Sequence, residues 1–167
     1  IEGKVEAVTL ASRGEPTLNR DFVKMLEYSS GKFLGFKINT NASLLSEELS
    51  HKILSNIDIG TIVFSVDAAD KVFFEKIRVN GVYEKVLKNI INFQKIKEKY
   101  YKSSNLITRV SGVKLNNYQD LDSMEEVWLQ YVDQISFVKY TPWETSYEND
   151  QNLLTSPCTE LWRKMFV

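Results

Sequence analysis

Gly14-Glu15-Pro16 stands directly after an apolar run from Val5 to Leu10. Thr40-Asn41, Ser65 with Asp67, and the Arg109 to Gly112 region sit at or near the ends of three further apolar runs. These side chains offer a carboxylate, hydroxyls, a carboxamide and a guanidinium. They suit the holding of a ligand by hydrogen bonds and charge. Nucleophilic chemistry of the hydrolase or aldolase kind is poorly served, because Lys139 is the one His, Lys or Cys at a strand end. In parallel α/β proteins the carboxyl ends of the strands share one edge, and ligands bind there.

The elements that must carry these groups follow from hydrophobic pattern. Val5–Leu10, Leu34–Asn39, Thr61–Asp67, Leu106–Val113 and Gln134–Tyr140 read as strands by β-branched content and length. Between them, apolar residues recur at helical spacing: Leu18, Phe22, Met25 and Leu26; Leu49, Ile53 and Leu54; Val82, Val86, Ile90, Phe93 and Ile96; Leu121, Met124, Val127 and Trp128. Ser46, followed by Glu47 and Glu48, reads as a helix cap, and Asp70 as the cap of a short helix over 71–77. Alternation in the third strand puts Ile62, Phe64 and Val66 on one face and Thr61, Val63, Ser65 and Asp67 on the other. Strand and helix alternate about five times, which predicts an α/β fold of parallel strands, either an open doubly wound sheet or part of a barrel.

With 43% hydrophobic and 26% charged residues, the chain can bury a core, and its length of 167 residues suits one domain or a part of one. A net charge of -1 argues against nucleic acid or an acidic membrane as the main partner. No apolar run reaches the length of a membrane span, no signal peptide is visible, and a single cysteine, Cys158, allows no internal disulfide. A cytoplasmic protein is expected. The start at Ile1 without Met and the end within an apolar run are those expected of a fragment.

The tips carry a resemblance in order and spacing. Gly14-Glu15-Pro16-Thr17-Leu18, then Asn39-Thr40-Asn41-Ala42-Ser43, then Phe64-Ser65-Val66-Asp67, then Glu75-Lys76-Ile77-Arg78-Val79-Asn80-Gly81, resemble the radical S-adenosylmethionine enzymes across residues 5 to about 115. The resemblance implies a partial (β/α) barrel of parallel strands over 1–143, corresponding to strands two to six, with the first strand and its Cys-x-x-x-Cys-x-x-Cys cluster loop missing. Ser156-Pro157-Cys158-Thr159-Glu160-Leu161-Trp162 is similar to the opening of a SPASM-type auxiliary-cluster domain over 158–167, after a polar linker at 144–157. Cys158 would then be a metal ligand; taken alone, it suits a buried structural thiol better.

What the resemblance implies chemically is reductive cleavage of S-adenosylmethionine at a [4Fe–4S] cluster and abstraction of a substrate hydrogen. The substrate is expected to be a peptide or a small carbohydrate-type molecule, and the electron donor a flavodoxin or ferredoxin. Gly14, Glu15 and Pro16 would face the methionyl ammonium, although Arg13 stands where the family usually has glycine. Thr40 and Asn41 suit the cofactor's polar rim or the substrate, with a turn-forming role for Asn41 as the alternative. Ser65 would bond the ribose or the methionyl carboxylate, and Asp67 the ribose hydroxyls or the cap of the following helix. Arg78 would pair with the methionyl carboxylate or lie in solvent. Arg109, mid-strand, needs an anionic partner: Glu15, a bound carboxylate, a substrate, or a structural ion pair. Small departures such as Ala42, where glycine is frequent, leave the tip geometry open. His51 reads as a surface residue, and Lys95–Lys99 as a solvated helix end. Tyr140, Trp143 and Tyr147 suit a substrate mouth or linker packing. The competing reading is a non-catalytic β/α module holding a nucleotide or a partner.

Overall fold

A computed structural model describes residues 6–10, 14–114 and 120–139. The strands are β1 (Ala7–Leu10), β2 (Gly35–Thr40), β3 (Ile59–Ser65), β4 (Asn105–Lys114) and β5 (Gln134–Lys139). The helices are α1 (Phe22–Ser29), α2 (Glu47–Asn56), α3 (Lys71–Ile77), α4 (Tyr83–Tyr100) and α5 (Leu121–Trp128). Each expected strand and helix in this range is present, with shifted ends. Residues Pro16–Leu18 form a separate 3₁₀ turn, so α1 begins later than its apolar period suggests.

All four strand pairings are parallel, and the strands lie side by side in chain order. That order separates the two architectures left open by the sequence. A doubly wound sheet reverses its order at a switch point, whereas a barrel wall does not. The fold is α/β of the partial-barrel type.

One sheet face is covered by helices. Ile38, Ile62, Phe64, Leu106 and Val110 share a single buried cluster with Leu26, Ile53, Ile90, Phe93, Met124 and Trp128. The stripe Val86, Ile90, Phe93 and Ile96 turns α4 onto β3, and Phe93 meets Phe64 edge-to-face at 5.7 Å between ring centres. At Gly112 a Cβ would come within 2.9 Å of Met124 and 3.0 Å of the Val66 carbonyl, so α5 and β3 close on β4 only over a glycine.

The opposite face carries no helix among the described residues. Register places Thr9, Lys37, Thr61 and Ile107 in one layer, Asn39, Val63, Arg109 and Gln134 in the next, and Ser65, Ser111 and Ser136 in a third. Val63 is buried here, yet outside the helix-side cluster.

Caps behave as their residue types dictate. Ser46 accepts from the Leu49 N–H at 3.1 Å and Asp70 from the Phe73 N–H at 2.9 Å. Asp70, not Asp67, therefore caps α3. Two expectations about surface residues are corrected. His51 Nδ1 lies 3.0 Å from the Tyr101 hydroxyl, with its ring between Tyr100 and Tyr101. Lys97 is largely covered and pairs with Asp133 at 2.6 Å. Among the described residues, no helix is long and apolar enough to cross a membrane.

Candidate ligand site at the strand tips

The first two tips are tied by one carboxylate. Gly14 adopts φ +145°, a conformation that side chains disfavour, and leads into Glu15. Glu15 Oε1 accepts from the Thr17 N–H (3.2 Å), the Thr17 hydroxyl (2.6 Å) and the Thr40 hydroxyl (2.7 Å). Its Oε2 accepts from the Asn41 N–H at 2.6 Å. Pro16 opens the 3₁₀ turn that Glu15 caps, so the turn-starting role of Gly-Glu-Pro is real and coexists with its place at the tip.

Tip two is a compact turn. Buried Thr40 also accepts from the Ala42 N–H at 3.1 Å, and Asn41 Oδ1 accepts from the Ser43 N–H at 2.9 Å. Ala42 sits at φ 59° with no exposed surface, which explains why glycine is at home there. From α4, Asn89 donates to the Ala42 carbonyl at 2.8 Å and fixes the turn from behind.

The charge balance at Glu15 matters. All four of its partners are neutral donors, and no Lys or Arg among the described residues lies within ion-pair distance. Oε1 is crowded, while Oε2 receives one hydrogen bond and has room for another. A cationic donor arriving at the rim would find an anion already oriented.

Tip three is built differently. Asp67 Oδ2 accepts from Arg78 Nε (2.9 Å) and Nη2 (2.5 Å), and Oδ1 accepts from the Val113 N–H at 2.8 Å. The turn after α3 returns Arg78 to this position. Asn80 takes φ 61°, and Gly81, whose N–H bonds the Arg78 carbonyl at 2.8 Å, has no room for a Cβ. Trp128 Nε1 holds the Ala68 carbonyl at 3.0 Å, and the Tyr83 hydroxyl holds that of Ala69 at 2.5 Å. Burial, aided by the Asp70 charge, raises the Tyr83 pKa, so its hydroxyl stays a donor.

Two expected roles change. Asp67 is engaged by the chain's own donors on both oxygens. Arg78 is no solvated charge, but it keeps Nη1 without a partner among the described residues. Arg109 does not join the tips. It lies four residues before Val113 on β4, about 13 Å further down the strand. Its Nε and Nη2 donate to Gln134 Oε1 at 3.0 and 2.5 Å, an amide and not a carboxylate. Ser65 is half-buried on the helix-free face, its hydroxyl unpartnered among the described residues. Cys158, the 144–157 linker, Arg13, Tyr140, Trp143 and Tyr147 lie outside the described residues. Asn89, Trp128 and Tyr83 were not legible as tip supports; each is a polar group on or beside an apolar helix stripe, which in sequence reads as packing alone.

The chain matches the mycofactocin maturase MftC of Mycolicibacterium smegmatis at 24% identity over 108 residues, 65% of this chain and 27% of the relative. The protein of the same name from Mycobacterium tuberculosis matches at 26% over 110 residues, 66% of this chain and 28% of the relative. The solved structure of Streptococcus suis SuiB bound to S-adenosylmethionine superposes with a TM-score of 0.66 at 17% identity, over 81% of this chain and 30% of that one. TYW1 with a lysine-pyruvate adduct superposes at 0.58 and 18%, over 82% and 42%. The chain is thus similar in sequence to these maturases and shares the fold of SuiB and TYW1. It spans between a quarter and a third of the length of the maturases it matches. No protein-family model matches it. It presents the rim residues at the carboxyl edge of a partial barrel, the fold it shares with these structures.

Proposed function

We propose that the rim binds S-adenosylmethionine, and that the whole protein is a radical S-adenosylmethionine enzyme of the maturase kind, acting on a peptide. The observation that carries this reading is Glu15: a carboxylate at the tip of β1, held by four neutral donors, with no cation paired to it among the described residues and one open position on Oε2. The methionyl ammonium suits that position. Gly14 leaves the backbone bare beside it, with nothing within 4 Å of where a Cβ would stand. Arg78 Nη1, with its other edge fixed on Asp67, suits the methionyl carboxylate, and the Ser65 hydroxyl suits the ribose or the same carboxylate.

A [4Fe–4S] cluster, when bound beside S-adenosylmethionine, supplies the electron for its cleavage. No group of three His, Cys, Asp or Glu able to hold a metal occurs among the described residues, and the chain has one cysteine. The cluster ligands are therefore proposed for a Cys-x-x-x-Cys-x-x-Cys loop elsewhere in the whole protein. Cys158 is proposed as a ligand of an auxiliary SPASM-type cluster, a flavodoxin or ferredoxin as the electron donor, and the cytoplasm as the compartment. Relatives named as maturases favour a precursor peptide over a carbohydrate.

The test is anaerobic reconstitution of the full-length protein with iron and sulfide, followed by reduction and assay for 5′-deoxyadenosine. Formation of 5′-deoxyadenosine is expected. Its absence with clusters demonstrably assembled removes the enzymatic reading and leaves the nucleotide-binding module.

A further inference from the structure

The helix-free face carries two cations on its described strands. Lys37 and Arg109 project from it, and the carboxylates at its described tips are Glu15 and Asp67. Asp67 is neutralised by Arg78. Neither Lys37 nor Arg109 has a carboxylate within ion-pair distance among the described residues. A guanidinium does not give up its proton, so on a sheet face inside a barrel wall it calls for an anion.

Arg109 is also aimed. Gln134 Oε1 takes Nε and one N–H of Nη2, which fixes the plane of the fork and leaves both Nη1 donors and the second on Nη2. One layer nearer the rim, Ser65, Ser111 and Ser136 lie in register, their hydroxyls unpartnered among the described residues. In the layer of Arg109 itself, on the far side of Val63, the Asn39 carboxamide oxygen is buried with no partner among the described residues. A buried acceptor left alone is costly, and it marks a place for an incoming N–H.

We infer that this face binds the substrate peptide by a carboxylate at Arg109 and a backbone N–H at Asn39. β2 and β4 are two strand spacings apart, about 10 Å. An extended peptide covers that distance in about three residues, whereas the ammonium and carboxylate of a free amino acid are too close together to bridge it. The inference rests on the proposed peptide reading for the identity of the ligand. Arg109 stands one layer below Ser65 on this face. The carboxylate comes either from the peptide's C-terminus or from an acidic side chain.

Phenylglyoxal labelling of the reconstituted full-length protein, mapped by mass spectrometry, reads Arg109 directly, with exposed Arg20 as the internal reference. Three acetylated tetrapeptides serve as probes: one with a free C-terminal carboxylate, one amidated with a central glutamate, and one amidated with a central glutamine. Either carboxylate peptide is expected to slow labelling of Arg109 about tenfold at ten times its dissociation constant, with Arg20 unchanged. Which one protects identifies the source of the carboxylate. Equal protection by the glutamine peptide, or none by any peptide, overturns the inference. Protection by S-adenosylmethionine alone assigns Arg109 to the cofactor and overturns it too. Acetate, which cannot reach Asn39, should protect more weakly than the peptides; equal protection removes the Asn39 contact. Assay of 5′-deoxyadenosine on the same preparation reports separately on the enzymatic reading.

Discussion

Glu15 and Asp67 are both carboxylates at strand tips, a few strands apart on one rim, and their surroundings divide them. Glu15 is held by two hydroxyls and two backbone N–H groups. Asp67 is held by a guanidinium and one N–H. Neutral donors fix a carboxylate in place without cancelling its charge, whereas a guanidinium does both. Glu15 is therefore a positioned anion with charge to offer. Asp67 is a strut whose charge is spent on orienting Arg78 and on joining the third tip to β4.

The largest effect tests the offered charge. Glu15→Gln is expected to weaken S-adenosylmethionine binding by the full-length protein about 10- to 100-fold, the worth of a charged hydrogen bond of about 1.5–3 kcal/mol. Equilibrium binding on the reconstituted protein measures it. Glu15→Ala should add a loss of about 2–4 kcal/mol in stability, because the Thr40 hydroxyl and the Asn41 N–H lose their shared acceptor. Unchanged affinity in Glu15→Gln would show that the rim does not use this charge.

At the strut the order of effects reverses. Asp67→Asn keeps an acceptor for Val113 but removes the charge facing Arg78, and about 1–3 kcal/mol of stability is expected to go with it, the lower part of the range for a pair still partly open to water. A double-mutant cycle with Arg78→Met should recover a coupling on the order of 1 kcal/mol in urea unfolding. Affinity for S-adenosylmethionine should fall less than in Glu15→Gln. If instead Asp67→Asn leaves unfolding untouched and abolishes binding, the division between the two carboxylates is wrong.

This contrast marks the limit of what the sequence conveyed. Strand and helix identities were legible because period 2 and period 3.6 patterns are local, and the tips were legible because polar residues interrupt apolar runs at regular intervals. The barrel-type order of strands was not, since pairing is non-local. Charge partners were out of reach for the same reason. Glu15 and Asn41 are 26 residues apart, and Asp67 and Val113 are 46 apart. Arg109 looked like a rim residue because its strand reaches the rim. Only the β4–β5 register shows that it stands opposite Gln134, one layer below Ser111 and Ser136. Lys97 looked solvated within a charged run, yet its partner Asp133 lies 36 residues on.

That last pair supplies the smallest and most pH-specific test, at the start of β5 and away from the tips. Asp133 accepts from Lys97 Nζ at 2.6 Å, from the Thr108 N–H at 2.7 Å and from the Thr108 hydroxyl at 2.9 Å. Burial opposes its ionisation, but the Lys97 ammonium and the two Thr108 donors outweigh burial and hold its pKa below the ordinary carboxylate value. A carboxyl whose folded pKa is depressed stabilises the fold above its unfolded pKa, near 3.9, and that stabilisation fades as pH falls through the lower folded value. Asp133→Asn should therefore cost about 1 kcal/mol in urea unfolding at neutral pH, and the gap from the parent should close below about pH 4. Because this network touches no tip residue, the substitution should leave S-adenosylmethionine affinity where it was. A gap that persists undiminished at pH 3 would mean that Asp133 acts through packing and hydrogen bonds common to Asp and Asn, not through its charge.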